Sequence, residues 1–193
     1  MKTPKTTKFA LSLTPALVLL AAGLAGCAGA GPAPKAMTFD PLSVPEAVRV
    51  PAGHRLVMET VGVGRITYEC RAKAGSTAGE HEWVFAGPDA VLNGRDGRAL
   101  GRYYGPPATW EASDGSKFTG AQVAVAPAGA GHIPLQLVKA NPAQGQGAFT
   151  GVTYVQRVAT VGGVAPAKPC AAAQVGQREI VTYRADYILW KAS

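Results

Sequence analysis

The stretch from Tyr103 to Ser116 holds the residue types best suited to binding a sugar. It contains three aromatic and two acidic side chains, namely Tyr103, Tyr104, Trp110, Glu111 and Asp114. An aromatic ring can stack on the C–H face of a sugar while carboxylates accept hydrogen bonds from its hydroxyls. Two carboxylates at the right separation could also hydrolyse a glycosidic bond. Core packing of the rings is the simplest interpretation, a binding surface the second and hydrolysis the third.

A second candidate patch combines an arginine with a glycine-rich segment. Gln156-Arg157 is followed by Gly162-Gly163. An arginine at the start of such a loop can hold a carboxylate or a phosphate through charge-assisted hydrogen bonds. The structural alternative is that Arg157 ties the loop to the sheet while the glycines supply turns with positive φ.

The sequence gives little support for metal or nucleophilic chemistry. None of His54, His81 and His132 belongs to a pair spaced three to five residues apart, as zinc ligands often are. The residues of Glu80-His81-Glu82 would alternate between opposite faces of a strand. No Gly-x-Ser-x-Gly elbow and no phosphate-binding glycine loop occurs. We therefore expect no metal site and no cofactor, and a binding protein rather than an enzyme.

Alternation of apolar and polar residues predicts β-strands to position these groups. In Arg65–Arg71 it places Ile66, Tyr68 and Cys70 on one inward face. The same pattern occurs in three further segments, which are His81–Phe85, Val123–Val125 and Val181–Leu189. The other candidate strands are Leu56–Val61, Leu100–Tyr104, Lys117–Val125, Pro134–Lys139 and Phe149–Val158.

Turn signals separate these strands, namely Asn93-Gly94, Asp96-Gly97, Asp114-Gly115 and Asn141-Pro142. Many short strands at this spacing, with 24 Gly and 15 Pro in the chain, predict an all-β domain built as an antiparallel sandwich or barrel. Two segments are predicted to be surface loops, Ala126–Gly131 and Val161–Ala173.

The N-terminus has the pattern of a secretory signal peptide. Three lysines precede an apolar run from Phe9 to Leu24, which is shorter than the ~20 residues of a membrane-spanning helix. Leu24-Ala25-Gly26-Cys27 resembles the lipobox of bacterial lipoproteins, in which the cysteine takes a lipid after cleavage just before it. We therefore expect residues 1–26 to be a signal peptide and Cys27 to be the site of lipidation. Ala28 after the cysteine suggests the outer membrane.

Residues 27–37 are predicted to form a flexible tether, because they are small, rich in Gly and Pro and barely charged. The single domain is expected to span residues 38–193, which is the size of one ordinary domain. Three of the 19 basic residues lie in the signal peptide, so the mature chain is less basic than the overall charge of +7. It has no basic cluster of the nucleic-acid-binding type, and we expect no nucleic-acid partner.

Two cysteines remain beyond Cys27, namely Cys70 and Cys170. In the oxidising environment of the cell envelope two cysteines most often pair, so a disulfide is expected. Two buried free thiols are the alternative.

Several blocks of sequence, in this order and spacing, resemble a known family. They are Tyr68-Glu69-Cys70, Glu82-Trp83-Val84-Phe85, Pro88-Asp89-Ala90-Val91-Leu92, Gly105-Pro106 with Thr109-Trp110-Glu111, Val152-Thr153-Tyr154-Val155-Gln156-Arg157, and Ala185-Asp186-Tyr187. Together they resemble the domain of unknown function 3455 family of exported bacterial and secreted fungal proteins, some of them associated with the appressorium. The resemblance extends from about Pro45 to Leu189. It implies export, a β-rich fold and a paired cysteine, but no activity.

The sequence thus predicts an envelope-anchored lipoprotein whose β domain binds a ligand or partner without catalysis. A hydrolase acting on envelope or extracellular polysaccharide and a purely structural surface protein are the alternatives. The expected partners are the membrane, through the N-terminal lipid, and an envelope glycan or another envelope protein. The candidate ligand-binding residues are Tyr103, Tyr104, Trp110, Glu111, Asp114 and Arg157.

Overall fold

Eight antiparallel strands form one sheet that closes into a barrel. The computed structural model describes residues 39–193, which belong to one compact unit. The strands are β1 (His54–Ala72), β2 (His81–Asn93), β3 (Ala99–Tyr104), β4 (Thr109–Ala112), β5 (Lys117–Ala126), β6 (Leu135–Ala140), β7 (Val152–Gly162) and β8 (Arg178–Ala192). Each strand pairs with the next in sequence, and β8 pairs with β1 to close the ring. The predicted all-β class is confirmed, and of the two architectures the barrel is the one formed.

The helical segments are short. Three single 3-10 turns span Pro41–Ser43, Glu46–Val48 and Ala172–Gln174. Within residues 39–193 there is no helix long and apolar enough to span a membrane.

Several strands are longer than the sequence pattern predicts. The candidates Leu56–Val61 and Arg65–Arg71 merge into the single strand β1, and β2 continues beyond Phe85 through Pro88. Pro88 has no N–H to donate to a neighbouring strand. The sheet tolerates this proline because Pro88 pairs with Ile66 of β1 and precedes Asp89, where the pairing of β2 with β3 begins. The four-residue strand β4 is too short to show a period. The predicted loop at Val161 begins later, since β7 runs to Gly162.

The inside of the barrel is filled with large apolar side chains. As predicted from alternation, Ile66 and Tyr68 of β1 lie in this core, and so do Tyr183, Ala185, Tyr187 and Leu189 of β8. Gly62 lets β1 approach the ring of Tyr187, because a Cβ at that glycine would lie 2.5 Å from Tyr187 Cε2. Val123 and Val125 do not follow the prediction. Both are exposed, and a bulge between Gln122 and Ala124 interrupts the alternation in β5.

A second apolar cluster lies on the outer face of the barrel. Leu137, Ile188 and Trp190 are buried there beneath the N-terminal segment, which contributes Val44 and Val48. The Gln156 side chain connects the N-terminal segment to β8 within this outer cluster. Its Nε2 donates to the Val48 carbonyl at 2.6 Å, and its Oε1 accepts from Trp190 Nε1 at 2.8 Å.

The disulfide between Cys70 and Cys170 is present, with an S–S distance of 1.98 Å. It attaches the loop between β7 and β8 to the end of β1. The pairing expected from the cysteine count is therefore confirmed. The predictions for the signal peptide, for lipidation of Cys27 and for the tether fall outside the described residues.

Candidate functional site

A cavity of about 310 Å³ opens at one end of the barrel, and we call it the mouth cavity. This end carries the β3–β4, β5–β6 and β7–β8 loops. The cavity reaches the core, because three of its lining residues, Tyr103, Trp110 and Val138, are buried core residues. It is lined by Phe85, Tyr103, Ala108, Trp110, Gly120, Gln122, Gln136, Val138 and Arg157.

Arg157 reaches the cavity because of its position on β7. It lies two residues from Val155, a fully buried core residue, so the two side chains share the inner face of the strand. The guanidinium is fixed by one backbone carbonyl. Arg157 Nε and Nη2 donate to the Pro134 oxygen at 3.2 and 2.9 Å. This contact ties β7 to the residue just before β6 rather than to the glycine-rich loop, and it also holds the charge at the cavity wall.

Two glutamines provide the other polar groups of the wall. Gln136 pairs with Arg157 across β6 and β7, and Gln122 lies on the neighbouring strand β5. Gln136 Nε2 donates to Gln122 Oε1 at 2.6 Å. The three side chains therefore form a polar group beside the aromatic part of the wall.

Four tyrosines lie near the charge of Arg157, namely Tyr68, Tyr103, Tyr183 and Tyr187. Burial raises the pKa of each of them above 10.0, and the positive charge of Arg157 partly opposes the rise. The hydroxyls of Tyr183 and Tyr187 bond to each other at 3.0 Å. The tyrosines therefore remain neutral at physiological pH, and Arg157 is the charged residue among those that line the mouth cavity.

The loop between β7 and β8 is fastened beside the mouth by several contacts. Tyr68 Oη donates to the Gly163 carbonyl at 2.8 Å, and Trp83 Nε1 donates to the Lys168 carbonyl at 2.9 Å. Gly163 has a φ of 82°, and a Cβ there would lie 2.9 Å from Tyr183 Cβ, so glycine fits best. With the disulfide, these bonds give the mouth a rigid border.

The structure divides the six predicted ligand-binding residues into three places. Tyr103, Trp110 and Arg157 line the mouth cavity. Tyr104 and Glu111 pair on the other face of β3 and β4, where Tyr104 Oη donates to Glu111 Oε2 at 2.8 Å. Asp114 lies in a third place, the turn between β4 and β5.

Asp114 closes the turn between β4 and β5. Its Oδ1 accepts from Ser116 N at 2.9 Å and from Ser116 Oγ at 2.6 Å, and its Oδ2 accepts from Ala148 N at 2.7 Å. These bonds lower the pKa of the Asp114 carboxyl, with the Ser116 hydroxyl as the largest cause. The carboxylate thus joins the turn to the segment before β7.

The three histidines lie apart and make separate contacts. His54 Nδ1 contacts the Pro51 carbonyl at 3.0 Å, and His132 Nδ1 accepts from Gly162 N at 3.0 Å. His81 begins β2. In the described part of the chain no three His, Cys, Asp or Glu side chains are grouped so that they could hold a metal ion.

Six lining residues were not assigned to a site by sequence reasoning, and Gln122, Gln136 and Phe85 are the polar and aromatic ones among them. A signal for Gln136 exists, since it shares a strand face with Val138, a core residue, and a polar residue on an inward face often marks a cavity. No comparable signal exists for Gln122, because the bulge beside it is not visible in the pattern.

The domain is a closed antiparallel barrel with one disulfide. Disulfides form and persist mainly in oxidising compartments, so the Cys70–Cys170 bond indicates an extracellular or periplasmic location. The family described as "Protein of unknown function (DUF3455)" matches residues 51–191, and the chain belongs to this family. No curated protein and no solved structure matches the chain.

Proposed function

We propose that the protein is an exported, lipid-anchored binding module that holds a small ligand in the mouth cavity and catalyses no reaction. The main support for this proposal is that Arg157, Gln122 and Gln136 line the same cavity as several aromatic side chains. Ligand cavities in proteins usually combine a largely apolar lining with a few polar groups that orient the ligand.

The frame around the cavity also favours binding. The wall residues lie on strands of a closed barrel, and the disulfide and the Tyr68 and Trp83 bonds fix the neighbouring loop. A preformed site loses little conformational entropy when a ligand enters it, which raises affinity.

The hydrolase alternative receives less support from the carboxylates it would use. Glu111 accepts a hydrogen bond from Tyr104, and both oxygens of Asp114 are engaged within the turn. Neither residue lines the mouth cavity. Their contacts are those of residues that stabilise the sheet and a turn.

Blocking the cavity tests the binding function. Gln122 is exposed at the wall, so Gln122→Trp should fill the opening without disturbing the core. We expect a thermal-shift panel of glycans, peptidoglycan fragments, fatty acids and phosphates to give a ligand that raises the melting temperature of the wild-type protein. At one hundred times its Kd, a ligand should raise it by about 5–10 °C.

The matched control is Gln177→Trp, an exposed glutamine outside the cavity. The shift should persist in Gln177→Trp and vanish in Gln122→Trp. A panel without any hit, from a protein that melts cooperatively, would contradict small-ligand binding and favour a structural role or an envelope protein as partner.

Lipid anchoring rests on the lipobox-like segment that ends at Cys27. More than one acyl chain is needed for stable anchoring, because a single chain gives marginal membrane binding. We expect Cys27→Ala to abolish labelling of the protein by a radioactive or clickable fatty acid in cells, while Cys27→Ala still accumulates. Labelling that survives in Cys27→Ala would show that the lipid is attached elsewhere or that the label is unspecific.

A further inference from the structure

The mouth cavity has one charged wall residue, and it is positive. Arg157 is the charged member of the lining set, which includes no Asp and no Glu. Among residues 39–193, no carboxylate forms an ion pair with Arg157. The Pro134 carbonyl takes hydrogen bonds from Nε and Nη2, so Nη1 keeps its donors. A guanidinium without a carboxylate partner at a cavity wall favours a ligand that carries negative charge.

The remaining polar groups of the wall are mainly donors. The Gln122 amide oxygen accepts from Gln136, which leaves the Gln122 Nε2 donors for another partner. The indole N–H of Trp110 has no acceptor among the described residues, although the side chain is almost completely buried. The Tyr103 hydroxyl likewise has no hydrogen-bond partner in the described chain. Such a wall suits a group rich in acceptor oxygens.

The rest of the wall is apolar and aromatic. Phe85 is 51% exposed at the rim, and Tyr103 and Trp110 stack on each other deeper in the barrel with ring centroids 4.5 Å apart. A planar group packs well against aromatic rings, by offset stacking or by edge contacts. The volume of about 310 Å³ corresponds to about ten water molecules, which limits the ligand to a compact molecule.

We propose that the mouth cavity binds a compact planar anion, an aryl carboxylate or an aryl phosphate, whose acidic group bonds to Arg157 and whose ring packs against the aromatic wall. This inference names the ligand class of the binding function proposed above and rests on it. Arg157 acts here as the specificity-determining residue, because its charge distinguishes the anion from a neutral compound of the same shape.

The test compares benzoate with benzamide, which has nearly the same shape but no charge. Isothermal titration calorimetry of the full exported protein in detergent should show benzoate binding at least tenfold more tightly, equal to about 1.4 kcal/mol. Phenyl phosphate serves as a third probe, and the tighter of the two anions identifies the acidic group.

Substitutions at Arg157 test its role through the ratio of the two affinities, which a purely structural contact to Pro134 would not change. Arg157→Gln should bring the benzoate to benzamide ratio close to one, and Arg157→Lys should restore a preference for benzoate. The control is Arg102→Gln, an exposed arginine of β3 that does not line the cavity and should leave the ratio unchanged.

Three results would overturn the inference, and only the first two would leave the proposed binding function standing. Equal binding of benzoate and benzamide, lost in Gln122→Trp, would contradict the preference for an anion while leaving the cavity as a binding site. The second result is that none of the three probes binds at millimolar concentration, while another compound class binds and Gln122→Trp prevents that binding. This result would also contradict the preference for an anion and leave the cavity as a binding site. Absence of any ligand would contradict the proposed function as well.

Discussion

Asp114 shows how one charged side chain can hold two segments of the chain together. Its carboxylate accepts hydrogen bonds from both Ser116 and Ala148, which lie on different segments. Gly147 makes this possible, because a Cβ at that position would lie 2.4 Å from Asp114 Oδ2. The residue that sequence analysis assigned to a sugar site therefore has a clear contact role in the turn.

The pH dependence of stability should reveal this role. Since the pKa of Asp114 lies below its ordinary value of 3.8 in the folded protein, its contribution to stability is present above that value. The contribution is lost as the pH falls through the lower, folded-state pKa. We expect Asp114→Asn to melt below the wild type at pH 7, with the difference shrinking as the pH falls below 3.8.

Asp96→Asn provides the background for this measurement by thermal melting. Asp96 also lies in a hairpin turn, where it accepts one local hydrogen bond from Arg98 N. A difference between wild type and Asp114→Asn that stayed constant from pH 7 to pH 2 would show that the charge of Asp114 does not contribute.

Individual wall residues could be predicted only in part. Tyr103, Trp110 and Arg157 stood out by residue type, and the structure brings them to one cavity. Tyr104 and Glu111 stood out for the same reason but lie on the other face, because neighbours in a strand alternate. Residue type thus indicated the right region, while the strand face of each side chain decided which residues could act together.

At the scale of elements, the N-terminal segment is part of the fold rather than an appendage. Its Val48 is completely buried in the outer cluster, and the Val48 carbonyl accepts a hydrogen bond from buried Gln156. The first described residue is also attached, since Phe39 N donates to Glu59 Oε1 at 2.8 Å. The segment therefore covers apolar side chains of β6, β7 and β8 that would otherwise face water.

Truncating one side chain measures the contribution of this cover. Val48→Ala should lower the free energy of unfolding by about 1.5–3 kcal/mol, because a fully buried side chain loses its apolar contacts. Leu42→Ala, at a side chain that is 72% exposed in the same segment, should change it by less than about 0.5 kcal/mol. Urea unfolding of both variants makes the comparison. Equal effects would contradict a packed N-terminal segment.

The strands themselves were largely predictable, and the exceptions have physical reasons. Alternation identified the inner residues Ile66 and Tyr68 of β1 and those from Tyr183 to Leu189 of β8, because alternate side chains of these stretches pack on the core. The cover by the N-terminal segment was not predictable, because its two 3-10 turns are too short to show a period. The N-terminal segment also buries Ile188 and Trp190 on the outer face of the barrel, so the end of β8 is apolar on both faces.

At the scale of the whole described domain, residues 39–193, the mouth cavity is separated from the C-terminus and from the first described residue. Ser193 N bonds to the Gly53 carbonyl at 2.9 Å, next to the start of β1, whereas the mouth loops lie at the opposite strand ends. The first described residue contacts Glu59, in the part of β1 nearer to the termini. The first and last described residues therefore lie away from the mouth cavity.

Closure of the barrel could not be deduced from the sequence. The sequence indicates strands and turns, but a sandwich and a barrel share those local signals, and the pairing of β1 with β8 joins residues far apart in the chain. The cavity is a consequence of that closure, since its wall combines residues of β2 through β7. The disulfide, in contrast, was predictable from the cysteine count together with the expected export to an oxidising compartment.

The most direct test of ligand binding at the mouth is a two-dimensional ¹⁵N NMR titration of the full exported protein in detergent with benzoate. Binding in the mouth cavity predicts concentration-dependent shifts of the backbone amides of Gln122, Gln136 and Arg157. The amides of His54 and Tyr154, which line a separate groove near the termini, should stay in place. Shifts confined to that groove, or an unchanged spectrum of a folded protein at millimolar benzoate, would contradict the account.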